Sequence, residues 1–127
     1  MKKGILIPPS GKPYVIEFEY NYKTINKLLN TKWSDYRCIS WMNDKGYDVC
    51  ICYPDMPPVL IQNHIASIIG QTDMFNVCLL FDDKKDLTME DFDIIFKFNK
   101  SFDFSTYMKE KNVMLNKFLG KTKEKTK

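Results

Sequence analysis

Residues 60–92 read LIQNHIASIIGQTDMFNVCLLFDDKKDLTMEDF. Three local patterns follow one another there. Gln62 to Ile69 carries apolar side chains at helical spacing and meets Gly70, a residue suited to ending a helix. Phe75 to Phe81 is an almost unbroken apolar run of strand length, the pattern of a central strand covered on both faces. Asp82-Asp83-Lys84-Lys85 then reads as a solvated turn. Thr88 stands three residues before Asp91, the spacing of a capping box, which predicts a helix from Met89 to about Phe98. Its apolar side would be Phe92, Ile95 and Phe96. A doubly covered strand between two helices calls for a sheet with helices against it, so more strands must lie upstream.

Upstream they are legible. Gly4 to Pro8 is a short apolar strand, followed by a turn cluster from Pro8 to Pro13. Tyr14 to Tyr20 alternates, with Tyr14, Ile16, Phe18 and Tyr20 on one face. Asn21 is a suitable N-cap for a helix over about Tyr22 to Asn30, with Tyr22, Ile25, Leu28 and Leu29 at helical spacing. Trp33 is expected to close the core side of that helix. Tyr36 to Met42 and Tyr47 to Tyr53 then read as a hairpin around Asn43-Asp44-Lys45-Gly46. With Asn43 opposite Tyr47, Ile39 and Trp41 share a face with Val49 and Ile51. Cys38, Ser40, Met42, Asp48, Cys50 and Cys52 take the other, and Cys38 faces Cys52. Downstream, a break near Lys100-Ser101 precedes a last helix, about Thr106 to Leu119. The order β-β-α-β-β-α-β-α-α defines an α+β domain, a mostly antiparallel sheet of about five strands with flanking helices. It is expected to span residues 1–120, with 121–127 as a lysine-rich tail.

Composition narrows the classes. The chain has 127 residues, 44% of them hydrophobic and 14% aromatic, enough for one domain with its own core. The formal net charge of +3 comes from Lys121 to Lys127, and the remaining chain balances. The body is therefore no basic platform for nucleic acid, and the tail would give at most weak phosphate contact. Arg37 is the only arginine among nineteen basic residues, which argues against bidentate phosphate reading. The apolar run after Met1-Lys2-Lys3 stops at Pro8-Pro9, and no run reaches the ~20 residues of a membrane span. The expected location is the cytoplasm. Cys38, Cys50, Cys52 and Cys78 lack metal-knuckle spacing and lie in apolar runs, so reduced, buried thiols are expected.

Several of these pieces resemble a small family of unknown function from phages and large DNA viruses. They are Ile7-Pro8 with Gly11, the helix capped from Asn21, Asn63-His64-Ile65-Ala66, Ile69-Gly70, and Asp86-Leu87-Thr88-Met89-Glu90. The resemblance covers about residues 4–95. It implies an accessory protein acting inside a host cell and carries no catalytic residue with it.

No catalytic constellation is legible. His64 is the sole histidine; Ser67 lies within reach on the same helix, but no nucleophile-elbow motif surrounds it. One histidine cannot furnish the usual zinc set, the carboxylates near Asp82 are offset by Lys84 and Lys85, and Ser10-Gly11-Lys12 lacks the rest of a phosphate loop. No cofactor or metal is expected. Trp33, Tyr36, Arg37, Asn63 and His64 are the candidate ligand-binding residues, because tryptophan, tyrosine and arginine are enriched at binding hot spots. Tyr107, Met114, Leu115 and Phe118 are the candidate protein-interface stripe. The function expected is a non-enzymatic interaction module binding a host or viral protein, with self-association possible. The alternative is a binder of a nucleotide or signal molecule.

Overall fold

In the computed structural model, which describes residues 1–102, five strands form one antiparallel sheet in the order β2-β1-β5-β4-β3. The elements are β1 (Lys2–Ile7), β2 (Tyr14–Phe18), α1 (Tyr22–Leu28), β3 (Ser34–Cys38), β4 (Val49–Pro54), α2 (His64–Gly70), β5 (Cys78–Asp82) and α3 (Met89–Lys100), with a 3₁₀ helix over Ser40–Lys45. Two hairpins, β1–β2 and β3–β4, are joined edge to edge by β5, antiparallel to both. All five residues of β5 are buried, because this strand is central and both of its faces are covered.

Each face of the sheet has its own core. On one, Ile25 and Leu29 of the α1 region pack with Leu6, Phe18, Cys50, Cys52, Leu79 and Phe81. On the other, Ala66 and Ile69 of α2 and Phe92 and Ile95 of α3 pack over Ile5, Ile7, Ile51, Cys78 and Leu80. Each fully buried Leu or Ile contributes roughly 1.5–3 kcal/mol of hydrophobic stabilisation. The caps follow the local sequence. The Asn21 side chain accepts from Thr24 N at 2.8 Å, and Thr88 with Asp91 forms the reciprocal capping box. The expected last helix, with Tyr107, Met114, Leu115 and Phe118, and the tail from Lys121 lie outside the described residues.

Four local expectations are corrected. The strand expected over Tyr36–Met42 stops at Cys38, and Ser40–Lys45 winds into a 3₁₀ helix closed by Gly46 at φ 83°. This winding puts Met42 into the same core as Ile39, both 0% exposed, rather than beside the cysteines, and lets the Trp41 indole donate to Asn99 Oδ1 on α3. The β3–β4 register accordingly differs by two residues: Cys38 faces Cys50 and Tyr36 faces Cys52. A two-residue slip keeps every β3 side chain on its expected face. The third correction is at β5, which begins at Cys78 because Asn76 adopts φ 62° and breaks the apolar run; Asp82 at its end is buried. Asp82 accepts from Asp48 N at 2.9 Å and Lys84 N at 2.8 Å, so it is a buried strand end and not part of a solvated turn. The fourth concerns α2, which runs through Gly70 to a left-handed Gln71; a Cβ on Gly70 would come within 2.8 Å of the Met74 side chain.

The capping box gives a pH test. Burial pushes the Asp91 carboxyl up, but hydrogen bonds from Thr88 N, the Tyr47 hydroxyl and the Thr88 hydroxyl, with the nearby Lys85, outweigh it and hold the group below its ordinary value. A carboxyl depressed in the fold adds stability above its unfolded value near ~3.9, and that stability is lost as pH falls through the lower folded value. Denaturant midpoints measured from neutral pH to below about 4 are expected to fall less for Asp91→Asn than for the native chain. An equal fall in both would remove Asp91 from the acid response.

Candidate functional site

A cleft of about 370 Å³ opens on the α1 face. It lies where β2, β3 and β5 end and β4 begins. Its floor is Cys50, Cys52 and Phe81, its walls include Tyr20, Tyr22, Ile25, Tyr36 and Cys38, and Asp48 and Asp83 stand at one end. The size falls within the range of small-molecule pockets. The sequence explains the hollow. The sheet positions under the start of α1 are small thiols, so α1 is supported by Ile25 and Leu29 while the space beside it remains unfilled.

The polar end is ordered. The Tyr20 hydroxyl donates to Asp83 Oδ1 at 2.8 Å, and Lys84 Nζ lies 3.6 Å from Asp48 Oδ2. Burial, the hydrogen bond to Asp83 and that carboxylate's charge together push the Tyr20 phenol well up, so it stays a donor at neutral pH. On the floor, burial pushes the Cys50 and Cys52 thiols up to about 12, with the hydrogen bond to Cys38 adding at Cys50. The Cys38 and Cys50 sulfurs are 3.3 Å apart. Both buried thiols are therefore protonated at neutral pH, and each must lose its proton before it can attack. Among the described residues, no group of three or more His, Cys, Asp or Glu side chains is placed to hold a metal ion.

The five ligand candidates do not converge. Tyr36 lines the cleft. Trp33 is 69% exposed at the opposite end of the sheet, so it does not close the core side of α1. Arg37 points to the other face by alternation, and its Nε is buried without a hydrogen-bond partner among the described residues. Asn63 is 1% exposed and its side chain is committed: Nδ2 donates to Ile7 O at 2.9 Å and Asn76 O at 2.8 Å, and Oδ1 accepts from Ala66 N at 3.1 Å. It joins α2 to β1 and to the approach to β5, leaving no group for a ligand. His64 is exposed at the first position of α2. The Ser67 hydroxyl donates to Asn63 O at 2.7 Å and accepts from Met74 N at 2.9 Å, so it is held by backbone and is not paired with His64.

A second surface had no signal in hydrophobic periodicity. The loop after β4 exposes Met56 (91%), Val59 (64%), Leu60 (59%) and Ile61 (55%). It lies at the same end of the sheet as Trp33, whose carbonyl accepts from Asp55 N at 2.9 Å. Asn76 holds the loop backbone: its N–H donates to Ile61 O at 2.6 Å, its Oδ1 accepts from Ile61 N at 2.9 Å, and its Nδ2 donates to Val59 O at 2.8 Å. Large apolar side chains are thus presented on a fixed backbone. The sequence signal for this was Pro57-Pro58 followed by Val59-Leu60-Ile61, an apolar run too short and too close to proline to be a strand. No helix among the described residues is long and apolar enough to cross a membrane.

No family model matches the chain, and no curated protein or solved structure matches it. The resemblance to the phage and viral family rests on its short motifs alone.

Proposed function

We propose that this domain is a non-enzymatic protein-binding module whose contact surface is Trp33 with the loop 56–61. The observation that carries the reading is the exposure of Trp33, Met56, Val59, Leu60 and Ile61 at one end of the sheet, with the backbone at Val59 and Ile61 clamped by Asn76. Apolar side chains shown to water in this concentration mark interaction surfaces, and a pre-ordered backbone lowers the entropy cost of docking. The partner is a protein with its own apolar patch. On the motif resemblance, it is a host or viral protein met in the cytoplasm. A second reading is supported by the cleft: its aromatic walls and the Asp48–Asp83 end suit a small ligand with an aromatic body and a cationic group better than a nucleotide.

The test compares the native chain with Trp33→Ala/Leu60→Asp. Both positions are exposed, so circular dichroism and the melting midpoint are expected to stay unchanged. Recovery of a stoichiometric partner from the native cell is expected to fall roughly ten-fold or more, as for loss of a hot-spot tryptophan. Undiminished recovery would refute this surface. A melting-point rise with aromatic amines, abolished by Asp83→Asn and accompanied by no partner, would favour the cleft reading instead.

A further inference from the structure

Cys38 and Cys50 are directly opposed on β3 and β4, with sulfurs 3.3 Å apart. The neighbouring pair, Ile39 and Val49, is joined by an N–H···O bond of 2.9 Å. Antiparallel pairs alternate, so Cys38 and Cys50 occupy a non-hydrogen-bonded site, where Cα atoms approach to about 4.5 Å and side chains lie closest. A disulfide needs Cα atoms within about 4.4–6.8 Å. Cys38 is exposed and Cys50 is 7% exposed, so one thiol of the pair meets solvent and the other waits behind it. Cys52 sits opposite Tyr36 and is offset along the strand, and Cys78 belongs to the opposite core.

From this juxtaposition we infer that Cys38 and Cys50 form a reversible oxidation site, closed to an intrachain disulfide by a low-molecular-weight disulfide such as oxidised glutathione. The exposed Cys38, as thiolate, attacks one sulfur of the small disulfide. A mixed disulfide forms on Cys38 and one small thiolate leaves. Cys50 loses its proton to hydroxide and attacks Cys38 Sγ, which lies 3.3 Å away before the reaction. The Cys38–Cys50 bond forms, the bond to the small molecule breaks, and a second small thiolate leaves and takes up a proton. Two protein thiols are oxidised by two electrons and one small disulfide is reduced to two thiols. The bond ties the edge strand β3 to β4 beside the cleft and draws the sulfurs together to about 2.05 Å. It is independent of the apolar end, so its failure would leave the protein-binding reading standing.

The test treats the folded, reduced full chain with oxidised glutathione, blocks remaining thiols and digests with trypsin without reduction. Cleavage after Arg37 and Lys45 separates Cys38 from the other cysteines, and chymotryptic cleavage after Phe75 separates Cys50 and Cys52 from Cys78. The expected result is a linked pair containing Cys38 and Cys50, lost on adding reductant. It should persist in Cys52→Ser, whereas Cys50→Ser should stop at the mixed disulfide on Cys38. Cys38→Ser, exposed and harmless to the fold, should abolish the linked pair, since it removes one of the two bonded sulfurs, and should leave Cys50 without a mixed disulfide because the solvent-facing thiol takes the first step. A bridge that survives in Cys50→Ser, or a native chain that stops at the mixed disulfide or does not react, would overturn the assignment.

Discussion

Asn63→Ala is expected to cost the domain on the order of 3 kcal/mol, because the change removes an N-cap and orphans buried backbone groups together. Ile7 O and Asn76 O lose their donor and Ala66 N loses its acceptor, at a residue only 1% exposed. Alanine can replace neither the donor nor the acceptor, and the small space it leaves is poor for a bridging water. For a domain near a hundred residues the melting midpoint should drop by roughly 12–24 °C. Differential scanning calorimetry decides it. A drop of a degree or two would mean the amide is spare, and would return Asn63 to the ligand candidates. His64→Ala, one residue on, is expected to leave the midpoint in place, since that side chain is exposed.

Leu80→Ala should have an effect of similar or greater size, about 3–4 kcal/mol, from lost burial plus the cavity left behind. Leu80 is 0% exposed on the central strand, paired with Ile5 on one side and Ile51 on the other, under α2 and α3. No neighbour can move in to fill the space without breaking a ladder. Leu60→Ala is the contrast, expected to lie within about 0.5 kcal/mol of the native chain because its side chain is 59% exposed. Urea titration of both variants separates core from surface for the same residue type. If Leu60→Ala also destabilises by more than about 1.5 kcal/mol, the loop packs as core and the proposed contact surface is lost.

The two substitutions also separate the roles that leucine and asparagine play along this chain. Burial does not follow from residue type here. Met56, Val59, Leu60 and Ile61 are exposed, while Asn63, Asp82 and Asn99 are buried with their polar atoms paired. The exposed apolar group and the cleft sit at opposite ends of the sheet. Protein contact and small-ligand binding therefore draw on separate residues and can be tested apart.

Much of the fold could be read locally. Caps at Asn21 and at Thr88 with Asp91 act within a single turn, so the residues that make them are close in sequence. The apolar run into β5 announced a doubly covered strand, and alternation placed Cys38, Cys50 and Cys52 on one face. Tertiary structure decided the rest, through contacts that join distant segments. The winding of Ser40–Lys45 answers to α3 through Trp41 and Asn99, and it set which cysteine faces Cys38. Asn63 became a structural cap because Ile7 and Asn76 arrive beside it, and Asp82 was buried because Asp48 and Lys84 offer it backbone N–H groups. Local periodicity reports which side of an element is apolar; it carries no information on which distant partner will satisfy a polar atom. The α+β class was therefore legible in the chain, while the cleft and the clamped apolar loop exist only once β5 has brought the two hairpins together, and the Cys38–Cys50 pair follows from the winding between β3 and β4.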